Sequence, residues 1–499
     1  MASILHAISK RNSLVKAHKI FSSIIGGILT AGFGGSIGLE SPIISSGSAI
    51  GSNTGRWLKL SYKEVTLLLA CGASGAISAI FHTPIAAVVF AIEVLLIDLT
   101  RFSLIPLLIS SVSGAIVTNV FFKDEILFAF VLRDHYHVHH TGFYILLGII
   151  CGLISVYFTK VFFKMDKLVA NIPDLRKLFV GGLILGVLLY LFPPPPPLYG
   201  EGYQIIKAIF AQNYESIMET NLHLQLGNSL WFFSLFFLLL LLLKVFATSI
   251  TINSGGIGGI IAPSLFTGAI TGMLFSHTLN GFGLHISESN FALVGMSGVL
   301  SGVLHAPLTA IFLIAETTKG YELIVPLMLT STISFVTVKI FEPNSIFTIQ
   351  LAKSGDLITH HKDKAVLTFM KLKSVIENDF KTINVDDTLG DLVKVVSQSN
   401  RNIFPVVDEE GILNGIILMD NIREIMFERE MYDTPVSNLM ILPPAYISTK
   451  DSMKEVIEKF ENTDAWNLPV IDHAKYVGMV SKSKLFSVYR NLLLEISEE

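Results

Sequence analysis

Residues 71–93 read CGASGAISAIFHTPIAAVVFAIE, and residues 294–316 read VGMSGVLSGVLHAPLTAIFLIAE. At a constant offset of 223, eight of the twenty-three positions are identical: Gly72/Gly295, Ser74/Ser297, Gly75/Gly298, Ser78/Ser301, His82/His305, Pro84/Pro307, Ala87/Ala310 and Glu93/Glu316. Most of the other positions pair apolar with apolar. Shared hydrophobicity alone would not place Gly, His, Pro and Glu in the same order twice, so the chain contains an internal duplication. Upstream the offset is 221, where Gly35, Gly38, Pro42, Gly47 and Gly51 match Gly256, Gly259, Pro263, Gly268 and Gly272. A small indel in the connecting loop accounts for the difference of two.

The duplicated region is too apolar for a soluble fold. Mean hydropathy over the 499 residues is +0.61, and charge is scarce from Ile20 to Leu99 and scarcer from Trp231 to Ile314. A bilayer-spanning helix needs roughly 20 apolar residues. Tyr144–Phe163 and Leu230–Phe246 come close or qualify. Ile24–Thr30, Val65–Ile80, Pro84–Leu96 and Ala306–Ala315 are shorter and broken by Gly, Pro or Ser. Broken helices at membrane depth need protein or a water-lined site around their free backbone groups, and duplicated transporters place their substrate sites there. The expected fold is an all-α polytopic membrane domain of two inverted repeats, with the first repeat incomplete. About 110 residues precede Gly259 in the second half, from near Thr141, against 37 before Gly38. Roughly three helices of the first repeat are therefore expected to be missing from this sequence, and residues 1–12 read as the tail of a helix. Pro193–Pro197 reads as a stiff connector between spans, and Cys71 and Cys151 as buried structural thiols.

Two five-residue turns stand at matching places: Gly38-Leu39-Glu40-Ser41-Pro42 and Gly259-Ile260-Ile261-Ala262-Pro263. Each runs from glycine through proline into an apolar helix. Proline is favoured at the first helical position, so each turn delivers a helix N-terminus with unpaired N–H groups and the positive end of the macrodipole. Two such ends brought together make an anion site without a fixed positive charge, one that binds and also releases. Glu40 is a carboxylate at such an end within an apolar region. One reading is that it complements its helix dipole. The other is that it competes with the permeant anion for the same N–H groups, so that protonation frees the site. Ile261, its counterpart, has no such group. His82 and His305 read as helix-end residues, and Glu93 and Glu316 as carboxylates pairing with backbone N–H groups.

With these residues the chain resembles the CLC family of chloride channels and chloride/proton exchangers. The turn at Gly38–Pro42 resembles the family's G-R/K-E-G-P, and that at Gly259–Pro263 its G-x-F-x-P. Phe81-His82-Thr83-Pro84 with Phe90-Ala91-Ile92-Glu93 resembles the F-x-x-P and F-x-x-E segment between them. The resemblance runs from about residue 10 to about 353. It implies a homodimer with one pore per subunit, in the cell membrane. It also implies Glu40 as the gating glutamate, with the backbone amides of Leu39, Glu40, Ser41, Ile260, Ile261 and Ala262 as anion ligands. The family's central tyrosine falls on Phe347, which lacks the hydroxyl, and its G-S-G-I-P serine falls before Met1. Leu39 replaces the basic residue and Ser41 the second glycine of the first turn. Many exchangers carry a second glutamate, for proton transfer, at the position of Val94. Valine there favours channel-like conduction of chloride or a similar small anion. Chloride/proton antiport is the alternative, with Asp98 one turn on as a substitute proton group. A non-conducting membrane scaffold is the alternative of another class.

Beyond residue 356 the composition becomes that of a soluble domain. Phe404–Asp408 with Gly411 and Gly415-Ile416-Ile417 recurs as Leu468–Asp472 with Gly478-Met479-Val480. Each copy reads strand, turn, strand and helix, the helices being Asn421–Glu428 and Lys484–Leu493. The tail resembles a tandem CBS pair, an α+β module that implies cytoplasmic dimerisation. Nucleotide-binding members carry G-x-x-T/S-x-x-D. Here Leu418 and Asn421, then Ser481 and Lys484, occupy the last two conserved places, so adenine-nucleotide sensing and purely structural dimerisation both stand open. The expected organisation is a membrane domain at 1–353, a linker at 354–366, and CBS domains at 367–432 and 433–499. Nucleophile–base pairs, metal-ligand clusters and phosphate loops are not found in the sequence, and net charge −4 gives no nucleic-acid footprint. An enzyme is therefore not expected, and no metal or cofactor is required.

Overall fold

The computed structural model describes residues 1–10, 13–97, 100–122, 135–191, 197–214, 230–318, 321–349, 370 and 372–497. The chain forms two compact units, Met1–Leu357 and Ile358–Glu499. The expected linker at 354–366, Asp98 and Pro193–Pro196 lie outside the described residues.

The first unit is helical. Its elements are α1 (Ala2–Lys10), α2 (Lys19–Gly32), α3 (Glu40–Trp57), α4 (Tyr62–Phe81), α5 (Pro84–Glu93), α6 (Arg101–Phe122), α7 (Thr141–Val169), α8 (Asp174–Tyr190), α9 (Tyr203–Ala211), α10 (Leu230–Asn253), α11 (Ile261–Gly281), α12 (Glu288–Leu304), α13 (Pro307–Thr317) and α14 (Ile324–Phe341). Five helical segments among the described residues are long and apolar enough to cross a membrane, while α2, α5 and α13 are apolar but short. The chain is a multi-pass membrane protein with broken helices.

The duplication in sequence is a duplication in structure. Helix α3 starts 221 residues before α11, and α5 starts 223 before α13. Helices α4 and α12 both end in a histidine in the left-handed conformation, His82 at φ 56° and His305 at φ 57°. Proline then opens the next helix at Pro84 and Pro307, where its missing N–H costs nothing. The His305 N–H closes the last turn on the Ser301 carbonyl.

The repeated glycines have a packing reason. Helix α3 lies against α4, and α11 against α12, so closely that a Cβ on Gly47 would strike the Gly72 carbonyl and one on Gly268 the Gly295 carbonyl. Small residues let helix backbones approach where lipid supplies no hydrophobic drive between helices. Cys71 and Cys151 are unpaired and buried.

The second unit holds β1 (Ile376–Glu377), β2 (Ile383–Asn384), α15 (Leu389–Ser397), β3 (Ile403–Val407), β4 (Leu413–Leu418), α16 (Met419–Ile422), α17 (Val436–Leu439), β5 (Ile447–Ser448), α18 (Met453–Thr463), β6 (Asn467–Asp472), β7 (Lys475–Ser481) and α19 (Lys482–Ser497). Its sheets run β2-β3-β4 and β1-β7-β6-β5. Ile383 pairs in parallel with Val406, and Ile447 with Val470, so the copies superimpose at an offset of 64. Both hairpins carry a register shift at the same place, after Val406 and after Val470. The helix expected at Asn421–Glu428 is shorter than read. It spans Met419–Ile422 and is followed by a 3-10 turn at Ile425–Phe427. Ile422 reaches the core but Phe427 faces solvent, and Glu428-Arg429-Glu430 offers no further apolar anchor. The helix expected at Lys484–Leu493 lies within α19.

Candidate anion site at the paired turns

The two glycine turns meet. The Gly38 N–H donates to the Gly259 carbonyl at 2.9 Å, and the Gly259 N–H donates to the Gly38 carbonyl at 2.8 Å. This antiparallel bridge is what two copies related by a two-fold axis must make. It leaves no room for side chains. A Cβ on Gly38 would meet the Glu40 carboxylate and Ala262, and one on Gly259 would meet Ser41.

Each turn is also held by the other repeat. Thr251 Oγ accepts the Ser36 N–H at 3.3 Å, and Thr30 Oγ accepts the Ile257 N–H at 3.0 Å. Thr30 and Thr251 are equivalent at offset 221, as are Ser36 and Ile257. Both hydroxyls donate back four residues into their own helices, to the Gly26 and Ala247 carbonyls. The ends of α2 and α10 thus clasp the turn of the opposite copy.

From the bridge the chains enter α3 at Glu40 and α11 at Ile261. The prolines were expected at the first helical position. They stand at the third, because the turn tightens into a helix two residues earlier. The donor count survives, since the first N–H groups of a helix all lack intrahelical partners and proline removes one of them. Leu39, Glu40 and Ser41 on one side, and Ile260, Ile261 and Ala262 on the other, bracket the bridge.

Glu40 is 1% exposed. Its Oε1 accepts a hydrogen bond from the Tyr203 hydroxyl. Among the described residues Oε2 accepts none, although the amides of Glu40 and Ala262 act on the carboxylate electrostatically. A carboxyl group therefore sits between two helix N-termini.

One expected ligand is already engaged. The Leu39 N–H donates to Glu201 Oε1 at 3.2 Å. Glu201 belongs to the loop before α9, and Lys244 of α10 lies beneath that loop. Lys244 is fully buried, and its Nζ donates to the Gly200 and Leu198 carbonyls at 2.8 and 3.2 Å. Tyr203, Glu201 and Lys244 went unread in the sequence. Lys244 could have been found, because a lone cation inside an apolar span marks a site by default. Glu201 and Tyr203 carried no such signal.

Phe347 is buried in the apolar core of this unit and brings no hydroxyl. Val94 is buried directly after α5, its N–H on the Phe90 carbonyl, and cannot hold a proton. In the second unit the Ser481 hydroxyl donates to Glu377 and accepts the Lys484 N–H. Glu377 also takes an Arg401 hydrogen bond at 2.6 Å. The serine that matches one place of the nucleotide motif is thus tied into the protein's own polar contacts.

A sequence model described as the voltage gated chloride channel matches residues 1–339, and CBS domain models match 372–428 and 436–491. A putative chloride channel protein, ClcB-like, of Ralstonia nicotianae is 29% identical over 357 residues, covering 70% of this chain and 77% of its own length. The H(+)/Cl(-) exchange transporter ClcA of Yersinia pestis bv. Antiqua is 30% identical over 321 residues, covering 61% of this chain and 62% of its own. The crystal structure of a slow cyanobacterial Cl-/H+ antiporter superimposes with a TM-score of 0.60 at 25% identity, over 70% of this chain and 80% of its own. The paired turns, the broken helices around them and these likenesses agree: the chain belongs to the voltage gated chloride channel family, with a pair of CBS domains behind its membrane unit.

Proposed function

We propose that the chain exchanges chloride for protons across the membrane, with Glu40 as gate and proton carrier. The observation that carries this is the burial of the Glu40 carboxylate between two helix N-termini joined at Gly38 and Gly259. An ionised carboxylate there competes with chloride for N–H groups. Protonation removes the competitor, so proton and anion take turns at one place. The relatives described as exchangers support coupling over the uncoupled conduction that Val94 suggests. Uncoupled conduction remains the second reading, because Val94 gives the inner side no titratable group. The anion amides are those flanking the bridge, the chain works as a homodimer in the cell membrane, and the CBS pair dimerises on the cytoplasmic side without needing nucleotide.

Proteoliposomes with a chloride gradient test this. Exchange predicts uphill proton movement in the wild type, and chloride flux without it in Glu40→Gln. Chloride flux without proton movement in the wild type supports conduction. Wild-type flux no greater than that of empty liposomes leaves the scaffold reading standing.

A further inference from the structure

The loop at residues 198–202 is docked on the first anion turn by three contacts. The Gly200 N–H donates to the Gly35 carbonyl at 3.1 Å, the Tyr199 hydroxyl to the Gly32 carbonyl at 3.0 Å, and Glu201 takes the Leu39 N–H. The Leu39 amide is the first of the unpaired donors at the α3 start. A carboxylate on that amide occupies part of the site an anion needs. Three groups face Glu201: Lys244 from α10, Glu40 from α3 and Tyr203 from α9. The buried Lys244 ammonium has its counter-charge there, and a buried cation without one is costly. If the Glu201 carboxylate withdrew alone, that cost would fall due. If chloride arrived as it withdrew, charge balance would be kept.

We propose that Glu201 is a second gate of the anion site: its carboxylate holds the Leu39 amide, and chloride replaces it beside Lys244. Glu201 is half-buried, whereas Glu40 is 1% exposed. It is a gating and positioning group for the transport proposed above and rests on that reading. Glu40 and Glu201 then close the same turn, one from within and one from the loop.

Calorimetric chloride binding to the intact purified chain tests it, alongside chloride efflux from liposomes as a function of pH. Glu201→Gln removes the competing charge with the same shape. It is expected to bind chloride about tenfold tighter and to lose one of two acid-dependent phases of efflux, while Glu40→Gln loses the other. Glu201→Asp keeps the charge but falls short of the Leu39 amide, and is expected to tighten chloride binding in the same direction. Wild-type chloride affinity in both Glu201 variants overturns the inference, whether or not the chain transports. Absent efflux in the wild type overturns the transport reading, and the calorimetry still decides the role of Glu201.

Discussion

Glu93 and Glu316, equivalent in the repeat, each cap the helix that carries the other. The Glu93 carboxylate at the end of α5 accepts the Leu308 and Thr309 N–H groups at the start of α13, at 3.1 and 2.7 Å. Glu316 near the end of α13 accepts the Ile85 and Ala86 N–H groups at the start of α5, at 3.1 and 2.8 Å. Two short helices are thereby locked antiparallel across the repeat axis. Helices this short, at membrane depth, cannot leave their first donors bare.

Replacing either cap strands two backbone donors. Glu316→Ala and Glu93→Ala are each expected to destabilise the membrane unit by about 2–5 kcal/mol, the range for hydrogen bonds to a charged group plus the unmet donors. Glu→Gln should cost less, since the amide oxygen still accepts. Thermal unfolding in detergent measures this. Equal stability of wild type and both alanine variants would show that the caps are dispensable.

The cross-repeat threonines should behave as an unequal pair. The Thr251 bond is buried, whereas that of Thr30 is open to its surroundings. Thr251→Val is expected to cost about 1–2 kcal/mol and Thr30→Val less, because an exposed donor finds another partner. The same thermal measurement, with chloride efflux per folded protein, checks the order. A larger loss in Thr30→Val would reverse it.

Much of this was legible in the sequence because the repeat reports on geometry. Gly38 with Gly259, Gly47 with Gly268 and Glu93 with Glu316 recur because each must make the same contact twice. What the repeat does not copy was hidden. Glu201, Tyr203 and Lys244 lie far along the chain from Glu40 and have no identical partners in the first half. Their relation to Glu40 exists only after folding. The third-position prolines were misread because a proline fixes a helix start only to within its first turn. The short α16 was misread because its termination depends on which face of Met419–Ile422 finds the core.

Gly38 and Gly259 should not be interchangeable under substitution. A methyl on Gly38 drives into the Glu40 carboxylate, and one on Gly259 into Ser41. Gly38→Ala is therefore expected to displace Glu40 and give chloride efflux with weakened pH dependence, resembling Glu40→Gln. Gly259→Ala should lower efflux and leave the pH dependence in place. Parallel pH profiles separate the two, and identical profiles would argue that the bridge acts only as structure.

In the second unit two capping carboxylates should make the helices they cap sensitive to acid. Lys394, then Thr388, hold Asp391 below the usual carboxylate range through hydrogen bonds. The Ser452 N–H and hydroxyl do the same for Glu455. A group depressed in the folded state adds stability that is complete above its unfolded value, about 3.9 for Asp and 4.3 for Glu. That contribution is lost as pH falls through the folded value. Amide protection in α15 and α18 of the intact chain, measured against the intrinsic exchange rate at each pH, should fall below about pH 4, and Asp391→Asn with Glu455→Gln should flatten that dependence. An unaltered profile in the double variant would assign the acid sensitivity to other groups.

Tyr203 restrains Glu40. Its hydroxyl donates to Glu40 Oε1, and a hydrogen bond to a charged group contributes about 1.5–3 kcal/mol. Tyr203 opens α9 and is held there by the loop docked on Gly35. The bond therefore fixes the Glu40 carboxyl from outside its own helix, and under the proposed function that position is the occluding one. Tyr203→Phe keeps the ring and deletes the donor. With Glu40 ionised and unrestrained, the balance between occluding and withdrawn positions should shift by about 10- to 100-fold. Chloride efflux at alkaline pH, where the wild type is most closed, is expected to rise. At acid pH, where Glu40 is protonated and already displaced, the two proteins should converge. Efflux raised equally at all pH values would place the effect of Tyr203 on the pathway itself. Efflux unchanged at alkaline pH would mean that the N–H groups of the two turns alone hold the gate shut.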